Sequence, residues 1–457
     1  MIPFGRGNTL SHAVFDQSPQ ETDMLEKLAK ARYFSRVTGA VNRLISERGE
    51  SNAVSMADDV INNYRKLSKD QHAKFFTFLF EKLNPDPAAV VAAAQNFSTE
   101  ASARNYIKLQ RVTEPPRQEL FRRLNRATNG TAALVGMRRD LLQLLDKQPE
   151  LTAVDFDLRH LLSSWFNPGF LKMHRVDWKS PAEVLEKLIQ HEAVHEIDGW
   201  DDLRRRLQPD RRCFAFFHPQ LPNEPLIFVE VALLPEIPAV ITPLVDKKAE
   251  TVHHTSQYKV AAFYSISNCE PGLRGVSMGN FLIKRVAEQL HAEFPGIKTF
   301  VTLSPIPGFM DWVAAGAEIG GEKLGSQLKP AIRTSREKAL ESLGLNKRSW
   351  AERLSDGWHP DNASEKEKSA LLCLASIYLG LGSASRNGNP VAKFHLGNGA
   401  KLHQINWAGD LSRKGLRQSA ALMVNYLYDL SNVEENHERF TRGEIDYSRA
   451  VGRLMQL

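Results

Sequence analysis

The chain has 457 residues, 42% hydrophobic and 25% charged, a balance that fits folded domains and excludes an intrinsically disordered chain. Its 59 basic and 53 acidic side chains leave a formal charge of +6, but the basic residues are spread without an interleaved aromatic pattern, so nucleic acid is not an expected partner. No apolar run approaches the roughly 20 residues that cross a bilayer, so no membrane is expected either.

The length calls for two or three domains. Cys213, Cys269 and Cys373 are widely spaced and odd in number, which indicates neither a disulfide framework nor a cysteine metal site. The start, MIPFGRGNTLSHAVF, lacks a secretory pattern and the end, RLMQL, is not a peroxisomal tripeptide, so the cytoplasm is the expected location.

From about Glu21 to Leu162 every strongly periodic segment reads as helix. Met24, Leu25, Leu28, Ala31, Phe34 and Val37 step along one face by three and four, as do Leu120 and Leu124, and Leu134, Met137, Leu141 and Leu144. Breaks fall at Asn84-Pro85-Asp86-Pro87, Glu114-Pro115-Pro116 and Asn129-Gly130. The segment holds no phosphate loop or nucleophile setting, so residues 1–167 are expected to be a helical bundle that serves oligomerisation.

Trp165-Phe166-Asn167-Pro168-Gly169-Phe170 breaks that pattern, and residues 168–457 are expected to form a second domain. Ser180-Pro181-Ala182-Glu183 reads as a capping box opening a helix to about Ala193. His191-Glu192-Ala193-Val194-His195 matches a zinc-protease pattern. It lies in the last turn of that helix, with no third ligand in a metal-binding setting, and no metal is expected. Arg204-Arg205-Arg206 and Arg211-Arg212 are read first as a solvated helix end, with attraction of a polyanion carrying phosphates as the sharper reading. Cys213–Phe217 and 226–234 read as strands, and 237–245 as a third.

Residues 258–309 concentrate the functional signal. Val260–Ile266 is a buried strand, Arg274-Gly275-Val276-Ser277-Met278-Gly279-Asn280 is a glycine loop, and Phe281, Leu282, Val286, Leu290 and Phe294 carry a helix. A second strand, 299–303, stops at Ser304-Pro305-Ile306-Pro307-Gly308-Phe309. A glycine loop at a helix N-terminus offers free N–H groups and the positive dipole end to a phosphate. Beyond it lie a polar insertion near 316–362 with a helix at 331–343, a helix over 363–381, the run Phe394-His395-Leu396-Gly397-Asn398-Gly399-Ala400, apolar alternation over 402–407, and a helix over 412–430 carrying Tyr426 and Tyr428. The fold class is α+β.

Arg274-x-x-Ser277-x-Gly279 resembles the pyrophosphate loop of GNAT-type acetyltransferases, with Ser277 replacing the usual first glycine. The runs FYSIS, NFLIKRV, LSPIPGF, FHLGNGA, NWAGDLS and NYLY, in matching order from about Trp165 to Tyr428, resemble the malonyl-CoA decarboxylase family. That resemblance implies a GNAT-like mixed sheet flanked by helices and cofactor-independent conversion of malonyl-CoA to acetyl-CoA and CO2. It also implies a homo-oligomer, with a tetramer suggested. It further implies Ser304 and His395 as the catalytic pair, with histidine the proton donor and serine orienting, and Tyr428 lining the malonyl pocket. The residues alone leave open a coenzyme A-dependent acyltransferase, or a non-catalytic coenzyme A sensor.

Overall fold

The computed structural model describes residues 19–46, 52–248, 252–276, 282–319, 330–345, 348–385 and 388–456, with side chains from Arg32 onward, so the stripe positions Met24 to Ala31 lie outside the described side chains. The chain divides into two compact units. One holds the residues up to Trp165 together with Gly272–Val276, and the other holds Phe166–Pro271 and Ser277–Leu457.

The first unit is helical: α1 (Pro19–Ile45), α2 (Ala53–Tyr64), α3 (Lys69–Lys82), α4 (Pro87–Thr99), α5 (Ala103–Thr113), α6 (Pro116–Leu124), α7 (Gly130–Leu142) and α8 (Thr152–Trp165). Each break follows its sequence signal. Asp86 caps α4 by accepting from Ala88 N at 3.0 Å, with Pro87 in the first turn. Asn129 adopts a left-handed φ of 57° before α7, and a Cβ on Gly130 would lie 2.1 Å from the Leu124 carbonyl, so only glycine fits. The stripes meet in one core built on Val37, Leu44, Phe75, Phe76, Leu120, Leu134, Leu141 and Leu158. α4 and α5 stand apart from it. Ala93 alone on α4 and no residue on α5 is buried.

The second unit is built on an eight-stranded mixed sheet. β1 (Lys172–Val176), β2 (Arg211–His218), β3 (Leu221–Leu234) and β4 (Val260–Asn268) run antiparallel to one another. β4 then pairs in parallel with β5 (Thr299–Thr302), the crossover being carried by α11 (Leu282–Glu293), after α9 (Ala182–His191) and α10 (Gly199–Arg206). β6 (Ser304–Pro305) and β7 (Lys401–Asn406) both pair antiparallel with β8 (Met423–Tyr428), which also meets β5. β4 and β5 pair only from Val260/Thr299 to Phe263/Thr302, closing with Leu303 N to Phe263 O at 2.9 Å. Beyond that point β4 runs on beside β3 while β6 turns to β8, so the sheet splays open at Ser304. This is the mixed α+β arrangement expected of a GNAT-like domain.

Several local expectations are corrected. Residues 237–245 form no strand but a loop ending in a helical turn at Thr242–Val245, because Pro238 and Pro243 cannot donate to a ladder. The helix expected over 412–430 ends at Ser419. Ala420 and Ala421 take left-handed φ values of 49° and 62°, and the β-branched and aromatic run Met423–Tyr428 is a buried strand. The capping box at Ser180 does not form: Ser180 Oγ accepts from Asp177 N at 3.1 Å, and Pro181 precedes α9 without a side-chain cap. α9 ends at His191, so His195 lies off the helix and the two imidazoles share no helical face.

The arginine cluster also reads differently in three dimensions. Arg205, Arg206, Arg211 and Arg212 are buried, and their partners are Asp210 for Arg205 and Arg211, Asp202 and Glu230 for Arg206, and Glu293 for Arg212. They knit α10 to the sheet and the sheet to α11. Arg204 alone is solvated, as expected of a helix end, and the four buried arginines are not a free anion patch.

Candidate active site

The loop after β5 delivers the first candidate side chain. Ser304 sits at the splay point, paired with Val424 of β8 and 5% exposed. After the polar segment, α12 (Pro330–Leu343) packs against α13 (Glu365–Gly380), which opens on a complete capping box at Ser364 and Glu367. α14 (Pro390–Gly397) follows. Asn389 starts it by accepting from Ala392 N at 2.9 Å, and its amide donates to the Pro307 carbonyl at 2.7 Å. That second bond ties the start of the helix to the segment just beyond Ser304. His395 therefore lies in the last turn of a helix, just before the glycine-rich turn. Gly399 ends the turn with φ 80°, where a Cβ would meet the Val433 carbonyl at 2.0 Å.

These supports bring residues 91 positions apart into contact. Ser304 Oγ lies 3.1 Å from His395 Nε2, and the other ring nitrogen, Nδ1, lies 2.9 Å from the Tyr428 hydroxyl. Tyr426, two positions before Tyr428 and hence on the same face of β8, stacks on the imidazole with ring centroids 4.7 Å apart and planes 25° from parallel. His395 is 4% and Tyr428 3% exposed. Burial alone pushes the His395 pKa down to about 3, so the ring is neutral at physiological pH although a helix C-terminus ordinarily favours the charged form. Burial likewise raises the Tyr428 phenol well above its usual value and keeps it protonated. The result is a neutral, water-poor line of hydroxyl, imidazole and phenol able to hold and move one proton. A cleft of about 520 Å³ runs beside Phe300, Leu427 and Tyr428.

Thr302 is the member of this group that sequence reading missed. Its Oγ1 accepts from Ser304 Oγ at 2.9 Å and from Tyr426 N at 3.2 Å, and its carbonyl accepts from Asn425 Nδ2 at 2.8 Å. The only sequence signal for it was the alternation that puts residues 302 and 304 on one face of a strand.

The glycine loop is described in part. Arg274 and Gly275 are exposed, Gly275 with φ 76°, and Val276 is buried. Within the helical unit, the Gly272 carbonyl accepts from Arg138 at 2.8 Å, and Arg138 in turn pairs with Asp155 at 2.8 Å. Ser277, Met278, Gly279 and Asn280 lie outside the described residues.

Among the described residues no helix is long and apolar enough to cross a membrane. Glu192, the central carboxylate of the zinc-protease-like pattern, accepts from Val194 N, His195 N and Ser265 Oγ at 2.7, 2.9 and 2.6 Å. It is thereby occupied as a structural acceptor.

A helical unit followed by a splayed mixed sheet with a buried Ser-His-Tyr line defines an α+β protein with a candidate acid–base site. Comparisons with known proteins make this specific. The family model of the malonyl-CoA decarboxylase C-terminal domain matches residues 169–457, and that of the malonyl-CoA decarboxylase N-terminal domain matches residues 83–166. Mitochondrial malonyl-CoA decarboxylase of Anser anser anser is 38% identical over 341 residues, 70% of this chain and 66% of that protein. Its Rattus norvegicus counterpart is 37% identical over 346 residues, 72% and 68% respectively. Crystal structures of malonyl-CoA decarboxylases from Rhodopseudomonas palustris and Agrobacterium vitis superpose with TM-scores of 0.78 and 0.77 at 44% and 42% identity. Each covers 92% of this chain, and 99% and 100% of the respective structure. The chain belongs to the malonyl-CoA decarboxylase family, whose members are carboxy-lyases.

Proposed function

We propose that this chain converts malonyl-CoA to acetyl-CoA and CO2, with His395 as proton donor, Ser304 orienting it, and Tyr428 supporting the opposite ring nitrogen. The observation that carries the reading is the contact of Ser304 Oγ with His395 Nε2 at 3.1 Å where the sheet opens. A malonyl thioester holds its carboxylate beta to the carbonyl. When the carbon–carbon bond breaks, CO2 departs and the electron pair stays on the α-carbon, delocalised onto the thioester oxygen. The substrate is its own electron sink, and the protein must desolvate the carboxylate, steady the enolate and protonate carbon. The α-carbanion of a thioester is far more basic than imidazole or phenol, so a neutral ring N–H at His395 can protonate it. The Tyr428 O–H can pass its proton to Nδ1 as Nε2 gives up its own, and when solvent reprotonates Nε2 the Nδ1 proton returns to the phenolate, which restores the starting state.

The coenzyme A phosphates are assigned to the backbone of the loop from Arg274 through Gly275, Val276, Ser277, Met278 and Gly279 to Asn280. This rests on the motif resemblance and on the exposed, left-handed Gly275. The helical unit is assigned to self-association, since α4 and α5 leave Val91, Tyr106 and Ile107 about half exposed at 55%, 48% and 48%. Incubation of the purified protein with malonyl-CoA and no acceptor tests the reaction: acetyl-CoA and CO2 in equal amounts support it. Turnover only when an amine is added would make the chain an acyltransferase instead.

A further inference from the structure

Four hydrogen-bonding groups stand in line at the site, and the direction of one bond fixes all the others. The Ser304 hydroxyl donates its single hydrogen to Thr302 Oγ1 at 2.9 Å. With that hydrogen committed, Ser304 Oγ can face His395 Nε2, 3.1 Å away, only as an acceptor, so Nε2 carries the ring hydrogen. A neutral imidazole has one ring hydrogen. Nδ1 is then bare, and the Tyr428 hydroxyl 2.9 Å from it must be the donor. Thr302 is itself held in place, 1% exposed, by the Tyr426 N–H on Oγ1 and by Asn425 on its carbonyl. Tyr426 also stacks on the histidine ring, so one residue of β8 holds both the Thr302 end of the line and its imidazole.

We propose that Thr302 is a positioning residue that, by holding the Ser304 hydroxyl hydrogen, fixes His395 as the Nε2–H tautomer and orients every donor from Tyr428 toward Thr302. This rests on the reading of His395 as the proton donor. In the opposite orientation Ser304 would give its hydrogen to Nε2, and Nδ1–H would point at the Tyr428 oxygen. No ring hydrogen would then face the splayed strands where Ser304 lies. Thr302 selects the orientation in which a transferable proton stands on the Ser304 side.

The test uses full-length protein labelled with ¹⁵N-histidine, with the His395 signals identified by their loss in His395→Asn. Wild type should show Nε2 as the protonated, pyrrole-type nitrogen and Nδ1 as the bare, pyridine-type one. Thr302→Val, which keeps the shape and removes the acceptor, should move the proton to Nδ1 and lower kcat roughly 10- to 100-fold, the rate equivalent of one buried hydrogen bond. KM should stay within a few-fold. Thr302→Ser should restore both the wild-type tautomer and the rate. Thr302→Val also strips the Tyr426 N–H of its partner, and if it does not fold, the wild-type and Thr302→Ser spectra decide. A bare Nε2 in either overturns the proposal, as does an Nε2–H signal that persists in folded Thr302→Val. Full activity in His395→Asn would instead sink the catalytic reading, and the tautomer result would stand apart from it.

Discussion

Ser304 and His395 are 91 residues apart in the chain and 3.1 Å apart in the fold, one at the end of a β-ladder and the other in the last turn of a short helix. Asn389 makes that meeting reproducible, because it caps the helix with its side-chain oxygen and grips the Pro307 carbonyl with its amide. Asn389→Ala should therefore cost both a helix cap and a tether, about 1–2 kcal/mol of stability by chemical denaturation. It should also lower kcat more than it raises KM. A variant with normal stability and turnover would show that α14 is held by other means.

The buried ion pair of Arg206 with Glu230, at 2.7 Å, assigns the arginine cluster to stability. Arg206→Ala strands a carboxylate with no exposure at all, and about 3–5 kcal/mol of stability should be lost, as for breaking one partner of a buried pair. Coenzyme A affinity of the folded fraction should be unchanged. A variant of native stability that binds coenzyme A poorly would return the cluster to ligand recognition.

The buried histidines set a pH dependence. In the unfolded chain a histidine titrates near 6.5, whereas burial pushes His395 down to about 3 and His195 down to about 4. Their native states exclude a proton that the unfolded state takes up. Stability is therefore fully present above pH 6.5 and declines as pH falls toward 4, by at most about 1.4 kcal/mol per pH unit for each histidine. Glu230, raised by burial to about 7, opposes this, because its native state favours the proton and stability falls as pH rises from 4.5 to 7. Comparing urea unfolding at pH 7 and pH 5 in wild type and His395→Asn isolates one histidine. The asparagine variant should show a smaller drop at pH 5, and an equal drop would mean that the imidazole is not buried neutral.

Phosphate binding by the glycine loop predicts an asymmetric pair of variants. With the backbone providing most contacts, Arg274→Ala should weaken coenzyme A binding by about 1–2 kcal/mol, the range for one charged hydrogen bond. Gly279→Val should do more by blocking close approach. Normal calorimetric binding by the valine variant would remove the loop from the site.

Self-association through the helical unit predicts that Tyr106→Glu with Ile107→Glu lowers the mass seen by light scattering without unfolding the chain, since α5 buries none of its residues. An unchanged mass would place the interface elsewhere.

Much of this architecture was legible because local signals and tertiary demands agreed. Asp86-Pro87 and Asn129-Gly130 punctuate helices where the structure begins them, and the unbroken apolar run of β4 reads as a strand buried on both faces. Agreement failed where a pattern served two structures. The 412–430 stretch is apolar enough for a helix, but two left-handed alanines divide it into a short helix and a strand, and that strand turns Tyr426 to the ring face and Tyr428 to the ring edge of His395. Charge was misread for a related reason. Arginines that look solvated in sequence find carboxylates from other elements, Glu230 and Glu293, that no local window contains. Thr302 escaped notice because a threonine in a strand is ordinary, and only the hydroxyl line of which it is the terminus gives it meaning.

The steady-state rate of His395→Asn with malonyl-CoA, measured beside Ser304→Ala and the double variant, tests the central claim most directly. A positioned proton donor contributes roughly 10²- to 10⁴-fold, so kcat of His395→Asn should fall by about that factor while coenzyme A affinity stays within a few-fold. Ser304→Ala should fall similarly, and the double variant hardly further, because two groups serving one proton transfer cannot each be lost in full. His191→Ala and His403→Ala should be nearly silent. Wild-type turnover in His395→Asn, or losses in the double variant that multiply in full, would contradict a shared role for Ser304 and His395 in protonating the enolate.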